Sequence, residues 1–372
     1  MSFPTLSFGD LVARVPIIQG GMGVGISLSR LASAVANEGG IGVIAAAMIG
    51  MKEADVAKNP IEANVRALRR ELQKAREMTQ GIIGVNIMVA LTTFSEMVRT
   101  SIEERADIIF SGAGLPLDLP KHLHEACEQK KEEFKTRLVP IISSARAASV
   151  IAKKWMSRYD YVPDGFVVEG PKAGGHLGFK AEDINDPNHS LEVVIPEVVD
   201  AVKAIEDKAG RAIPVIAAGG VYSGEDIKHF LALGASGVQM GTRFVATHEC
   251  DADDRFKQAY VNAREEDVTI IKSPVGMPGR AIGNGFIESM REGARKPFKC
   301  VFKCISTCEQ EQTPYCIAAA LINAMKGNLE KGFAFSGANV FRINSITSVR
   351  ELISSLQDEF EAAIADLRKQ HA

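Results

Sequence analysis

The 372-residue chain contains no apolar run approaching the ~20 residues that a membrane-spanning helix needs, so we expect no span and no membrane partner. It also lacks an excess of charge of one sign. Its 43 Lys and Arg stand against 46 Asp and Glu, a net charge of −3, which argues against nucleic acid and anionic surfaces as partners. Aromatic residues are scarce at 6%, which disfavours a carbohydrate binder built on stacked rings. There is no internal repeat, low-complexity tract or Ser/Gly linker. The opening MSFPTLSFGD has no basic region followed by an apolar core, so we expect no secretory signal and a cytoplasmic location. Thiols stay reduced there, and the six cysteines point to chemistry or metal before disulfides. What the chain has in abundance is glycine, 33 residues, which suits a binder of phosphate or nucleotide.

Eight short apolar runs recur along the chain: 15–19, 41–45, 82–87, 107–111, 138–143, 165–169, 213–217 and 237–240. Each is almost continuous in β-branched or other apolar residues, as in strands buried on both faces of a parallel sheet. Segments of helical periodicity separate them, among them 27–38, 61–78, 145–156, 197–206 and 224–233. The alternation predicts an α/β fold, a (β/α)8 TIM barrel, with a doubly wound open sheet as the alternative. We expect a barrel over 1–249, lengthened by a charged helical segment at 51–80. A C-terminal cysteine-containing extension follows over 250–346, and an amphipathic helix within 347–372 packs on the barrel.

Several expected strand ends carry glycine. Gln19-Gly-Gly-Met-Gly-Val-Gly25 follows the first and suits close approach of backbone to a flat ligand. Ala218-Gly-Gly-Val221 and Gln239-Met-Gly-Thr-Arg-Phe244 end the seventh and eighth, where barrels often bind phosphate. His176, in Glu169-Gly-Pro-Lys-Ala-Gly-Gly-His-Leu-Gly178, is set between glycines after the sixth strand. A neutral imidazole at a barrel mouth can move a proton beside an activated carbon. His122, His124, His189, His229, His248 and His371 fall on helices, loops or the terminus and read as structural or solvated. Ser273-Pro-Val-Gly-Met-Pro-Gly-Arg280 reads as part of a lid or as an irregular packing strap.

Cys300, Cys304, Cys308 and Cys316 are separated by three, three and seven residues. A [4Fe–4S] cluster, a structural zinc and unligated thiols are all open to this spacing. Cys127 and Cys250 stand apart as plain thiols. Arg291, Arg295, Lys296, Lys299 and Lys303 surround the cluster as a solvated basic face or as a dock for an acidic carrier protein.

Together these motifs, with Gly84-Val-Asn-Ile87, resemble the nitronate monooxygenase (2-nitropropane dioxygenase-like) superfamily over residues 15–290. The resemblance implies an FMN-binding (β/α)8 barrel. It places Gly20, Gly21, Met22, Gly23, Asn86, Glu169, Gly174, Gly175, Gly219, Gly220, Gln239, Met240, Gly241 and Thr242 around FMN and makes His176 catalytic. Ile271-Lys-Ser-Pro-Val-Gly276, the four cysteines, Tyr315-Cys-Ile317 and Ser336-Gly-Ala-Asn339 are similar to an iron–sulfur branch. That branch includes the decanoyl-acyl-carrier-protein dehydrogenase/isomerase of unsaturated fatty acid synthesis. It implies a [4Fe–4S] cluster on Cys300, Cys304, Cys308 and Cys316 and a small-molecule or acyl-carrier-protein-bound substrate, in a chain that is a candidate homodimer. The chain departs from that enzyme in a shorter gap before Cys316 and in Lys172 and Ala173 of the histidine loop. Oxidation of alkyl nitronates with O2 and NAD(P)H-dependent enoyl reduction are the alternative activities. A flavin-free sugar-phosphate isomerase and a redox-sensing scaffold are the remote ones.

Overall fold

The structure, a computed structural model, describes residues 3–370. The terminal residues 1–2 and 371–372, His371 among them, lie outside the described residues. Eight parallel strands close into a barrel in chain order: Ile17–Gln19, Ile41–Ala45, Ile82–Met88, Ile108–Gly112, Arg137–Ile142, Phe166–Glu169, Val215–Ala218 and Gly237–Met240. Each expected apolar run supplies one of these strands. The eighth pairs back on the first, with Val238 opposite Ile17 and Met240 opposite Gln19.

The runs are continuous because both faces of every strand are buried. Ile18, Ile41, Val43, Ile108, Phe110, Val139, Val167 and Ile216 fill the barrel interior. The alternate residues, including Ile17, Ile44, Val85, Ile109 and Val168, face the helices. Each such side chain contributes about 1.5–3 kcal/mol of burial. A short N-terminal hairpin, Leu6–Phe8 with Leu11–Ala13, seals the lower end by adding Leu6 and Phe8 to the interior cluster.

The charged stretch after the second strand holds helix Pro60–Met78, which packs between helices Ser29–Asn37 and Phe94–Glu103 of the surrounding ring. Its buried face runs through Ala63, Ala67, Leu68, Leu72 and Ala75 at helical spacing, and its arginines point outward to Glu53, Asp55 and Glu104. Helix Val349–Gln370 lies against Gly224–Ala232 and Ser29–Asn37, the helices that follow the seventh and first strands. It therefore fills the eighth place in the ring. Contact at Gly224 is close enough that a Cβ there would come within 2.2 Å of the Leu356 carbonyl oxygen, and the Gly224 N–H donates to Glu359 at 2.8 Å.

The intervening residues fold back over the barrel mouth. Strands Val268–Lys272 and Pro278–Ile282 form a hairpin, to which Gly175–His176 adds as a third antiparallel strand. The segment expected as a lid or irregular strap, Ser273–Arg280, is thus the turn of a β-hairpin and the start of its second strand. Its small core unites Ile271, Phe286, Tyr315, Ile317 and Phe333.

Candidate active site

A cavity of about 530 Å3 opens at the carboxyl ends of the barrel strands, within the ~300–1,000 Å3 usual for cofactor and small-ligand sites. The loops after parallel barrel strands all emerge at this end, which is why residues distant in sequence meet there. Gly20, Gly21, Met22 and Gly23 come from the first strand, Asn86 from the third and Glu169 from the sixth. Gly174, Gly175 and His176 follow in the sixth loop, Gly219 and Gly220 in the seventh, and Gln239, Met240, Gly241 and Thr242 come from the eighth. Every residue that the sequence pointed to around a flavin lines this one cavity.

His176 is anchored from two sides. Its backbone belongs to the three-stranded sheet, opposite Gly279, and its Nε2 lies 2.7 Å from Ser273 Oγ. The Phe335 ring meets the imidazole edge-on, with centroids 5.0 Å apart. Burial pushes the imidazole pKa down to about 4, so the ring is neutral at physiological pH. Glu169 responds in the opposite sense. Burial alone pushes its carboxyl up to about 7, and among the described residues no ion pair or hydrogen bond of its side chain offsets this.

The loop between them is pinned from below. Arg280 is buried, and its Nη1 donates to the carbonyls of Pro171 and of Ala173, the latter at 2.8 Å. From above, Ser336–Asn339 presses on the same loop. A Cβ at Gly174 would fall 2.5 Å from the Ser336 carbonyl carbon, so only glycine fits. Gly337 N–H donates to Thr242 Oγ1 at 2.9 Å, Ala338 N–H to the Lys172 carbonyl at 3.0 Å, and Asn339 Nδ2 to the Gly220 carbonyl at 2.6 Å. Gly219 and Gly220 take φ of 92° and 96°, turning the seventh strand's end into the cradle. The Ser336 hydroxyl is buried without a partner among the described residues, an orphan polar atom beside the cavity.

Ser273 and Arg280 were read only as ends of a lid or strap and Ser336 and Asn339 only as parts of a motif, and Phe335 was not singled out. A local signal for the hairpin turn alone was present, since the β-prone run Val268-Thr-Ile-Ile271 leads into Ser-Pro-Val-Gly-Met-Pro. That this hairpin pairs with the histidine loop is a tertiary fact with no local signature.

The cysteines divide. Cys304 and Ile305 line the cavity, held there by hydrogen bonds from Thr92 to the carbonyls of Lys303 and Cys304 and from Ser306 N–H to the Ala90 carbonyl. Cys300, Cys308 and Cys316 are half-buried and do not line it. Burial first, and then the neighbouring thiols of Cys316, Cys300 and Cys308, push Cys304 up to about 12. Lys303 N–H points at Cys300 Sγ from 3.4 Å. Among the described residues, no three His, Cys, Asp or Glu side chains converge as a metal-binding group. No helix among them is long and apolar enough to cross a membrane.

A protein of Mycobacterium tuberculosis (strain ATCC 25618 / H37Rv), named (3aS,4S,5R,7aS)-5-hydroxy-7a-methyl-1-oxo-octahydro-1H-indene-4-carboxyl-CoA dehydrogenase, is 30% identical over 280 residues, 75% of this chain. The match spans 66% of that relative's length. A probable nitronate monooxygenase of Staphylococcus aureus (strain Newman) is 31% identical over 312 residues, 76% of this chain and 79% of its own. Among solved structures, FabK from Thermotoga maritima superposes with a TM-score of 0.71 at 27% identity, covering 95% of both chains. A family model described as nitronate monooxygenase matches residues 8–359, which takes in the barrel, the hairpin, the cysteine segment and the first half of the last helix. With the glycine turns, His176 and the covering segment all inside that match, the chain belongs to the nitronate monooxygenase family.

Proposed function

We propose that the chain is an FMN-dependent oxidoreductase that acts on an acyl thioester and carries a [4Fe–4S] cluster on Cys300, Cys304, Cys308 and Cys316. The observation that supports it best is the meeting, in one cavity, of the glycine turns and His176 with an apolar wall of Met88, Leu91, Leu115, Ile305 and Leu321. The residues fit FMN. The cavity has a cofactor's dimensions, the cradle of Gly219 and Gly220 admits no Cβ, and the Ser336 hydroxyl lacks a protein partner. Gly219, Gly220, Gly241 and Thr242 would hold the phosphate, at the barrel position where phosphates commonly bind. Gly20 to Gly23, Asn86, Gly174 and Gly175 would flank the rest. The four thiols are of the donor type that a cluster takes and an amide is directed at Cys300 Sγ, although among the described residues they do not converge as a metal-binding group.

FMN, when bound, supplies a two-electron acceptor for hydride. This chain's own residues do the rest. The apolar wall holds the acyl chain and keeps water out. His176, neutral above about pH 4, takes the proton from the carbon beside the thioester carbonyl and returns it in the reverse direction. Glu169, with a carboxyl pKa of about 7, would be able to donate as well as accept a hydrogen bond to a bound group near neutral pH. Identity with the probable S. aureus nitronate monooxygenases favours a second reading, oxidation of alkyl nitronates. A nitronate already carries its anion and asks less of His176.

The test begins with protein purified without oxygen. Flavin bands, with about four irons and four sulfides per chain, are expected. Mixing with saturated acyl thioesters should then bleach the flavin. Bleaching by alkyl nitronates and by no acyl thioester selects the second reading, and absence of flavin removes both.

A further inference from the structure

We propose that Ser273 is the positioning residue for His176, accepting the Nε2–H so that the Nδ1 lone pair is the one presented to the substrate. The inference rests on the proposed role of His176 as the proton-transferring group. Three observations carry it. The first is the 2.7 Å separation of His176 Nε2 from Ser273 Oγ, a strong hydrogen bond between a ring nitrogen and a hydroxyl. The second is the state of Ser273, which is buried and held in the hairpin turn: its N–H donates to the Met277 carbonyl at 3.0 Å, and its carbonyl accepts from Gly276 N–H at 3.0 Å. The same Oγ accepts from Val275 N–H at 3.4 Å, so a donor of the turn already faces this oxygen. The third is that Nδ1 has no hydrogen bond among the described residues and is not among the sealed, unpartnered buried atoms.

A hydroxyl oxygen has two lone pairs, one for Val275 N–H and one for Nε2–H. A neutral imidazole carries one proton, and the partner of one nitrogen decides which nitrogen keeps the other lone pair. With Nε2 protonated against Ser273, Nδ1 is the base. When Nδ1 takes the substrate proton, the Nε2–H bond to Ser273 persists and strengthens as the ring becomes positive. No bond of the ring has to be remade during transfer. The hairpin that carries Ser273 also pairs with the backbone of His176, so orientation and tautomer are fixed by one element.

The experiment uses full-length protein labelled with 15N at histidine, with His176→Ala identifying the His176 signals. Two-bond proton–nitrogen correlations near neutral pH should show the Nε2–H tautomer alone in the wild type and a mixture in Ser273→Ala. In turnover, Ser273→Ala should lower kcat about ten- to a hundred-fold, the scale of one hydrogen bond to a charged group, with KM nearly unchanged. Ser273→Thr, which keeps the hydroxyl, should recover most of kcat and the single tautomer. An Nδ1–H tautomer in the wild type overturns the assignment, as does Ser273→Ala with an unaltered tautomer or kcat. Full turnover by His176→Ala would instead sink the role of His176, while the spectra would still decide whether Ser273 holds its ring.

Discussion

Two ionisable side chains in the cavity are driven in opposite directions by the same burial. His176 falls to about 4 and Glu169 rises to about 7. Such a divergent pair marks where proton transfer is arranged. Replacing His176 with Ala should lower turnover by about 10²–10⁴-fold while FMN affinity stays near wild type, as measured by steady-state rates and fluorescence titration. Glu169 has a consequence for stability. Its folded carboxyl keeps a proton that the unfolded chain releases between about pH 4.5 and 7. The cofactor-free protein therefore binds more protons folded than unfolded in that window, and the Glu169 contribution to stability falls as pH rises through it. Denaturant midpoints at about pH 5 and about pH 7.5 should differ less in Glu169→Gln than in the wild type. An equal or larger difference would contradict the assignment.

At the scale of elements, the histidine loop lies between the Arg280 hairpin and the Ser336–Asn339 segment, with no room for a methyl group at Gly174. Gly174→Ala places its Cβ against backbone atoms of Ser336 and Gly337, which cannot swing aside. It should cost about 1–3 kcal/mol, read as a lowered thermal midpoint, together with a loss of FMN affinity. The cysteine segment makes a different prediction. Cys304→Ser should remove iron from protein isolated without oxygen, measured by metal and sulfide assay. Iron content equal to wild type would take Cys304 out of the ligand set.

The same scale shows what the sequence could and could not disclose. Strands Ile41–Ala45 and Phe166–Glu169 were legible because both their faces are buried, leaving a nearly unbroken apolar signal. The glycine turns and His176 were legible because backbone conformation and flanking glycines are local properties. Ser273 and Arg280 were not. Their partners, His176 and the carbonyls of Pro171 and Ala173, lie about a hundred residues away along the chain. Ser336 was seen in a motif, but its unpartnered hydroxyl is visible only once its surroundings are folded.

For the whole molecule, the extension and the barrel share one structure. Asp251 accepts N–H groups of Leu28 and Leu31 at the start of the first ring helix, and the segment from Ser336 to Asn339 ties the sixth, seventh and eighth loops together. A chain ending at residue 346 should fail to unfold cooperatively and should lose soluble yield, because it leaves bare the apolar faces of Gly224–Ala232 and Ser29–Asn37. Calorimetry on whatever soluble material remains would check this, and a sharp transition near the wild-type midpoint would refute it.

That last ring helix also sets a timetable. All eight strands leave the ribosome before it does, together with about a hundred residues that cover the mouth. Until residues 349–370 emerge, the two ring helices Gly224–Ala232 and Ser29–Asn37 rest on the barrel with the faces between them uncovered. The nascent chain must then wait with a sticky seam open and its four thiols already outside the tunnel, an interval in which a chaperone or a metal donor finds them accessible.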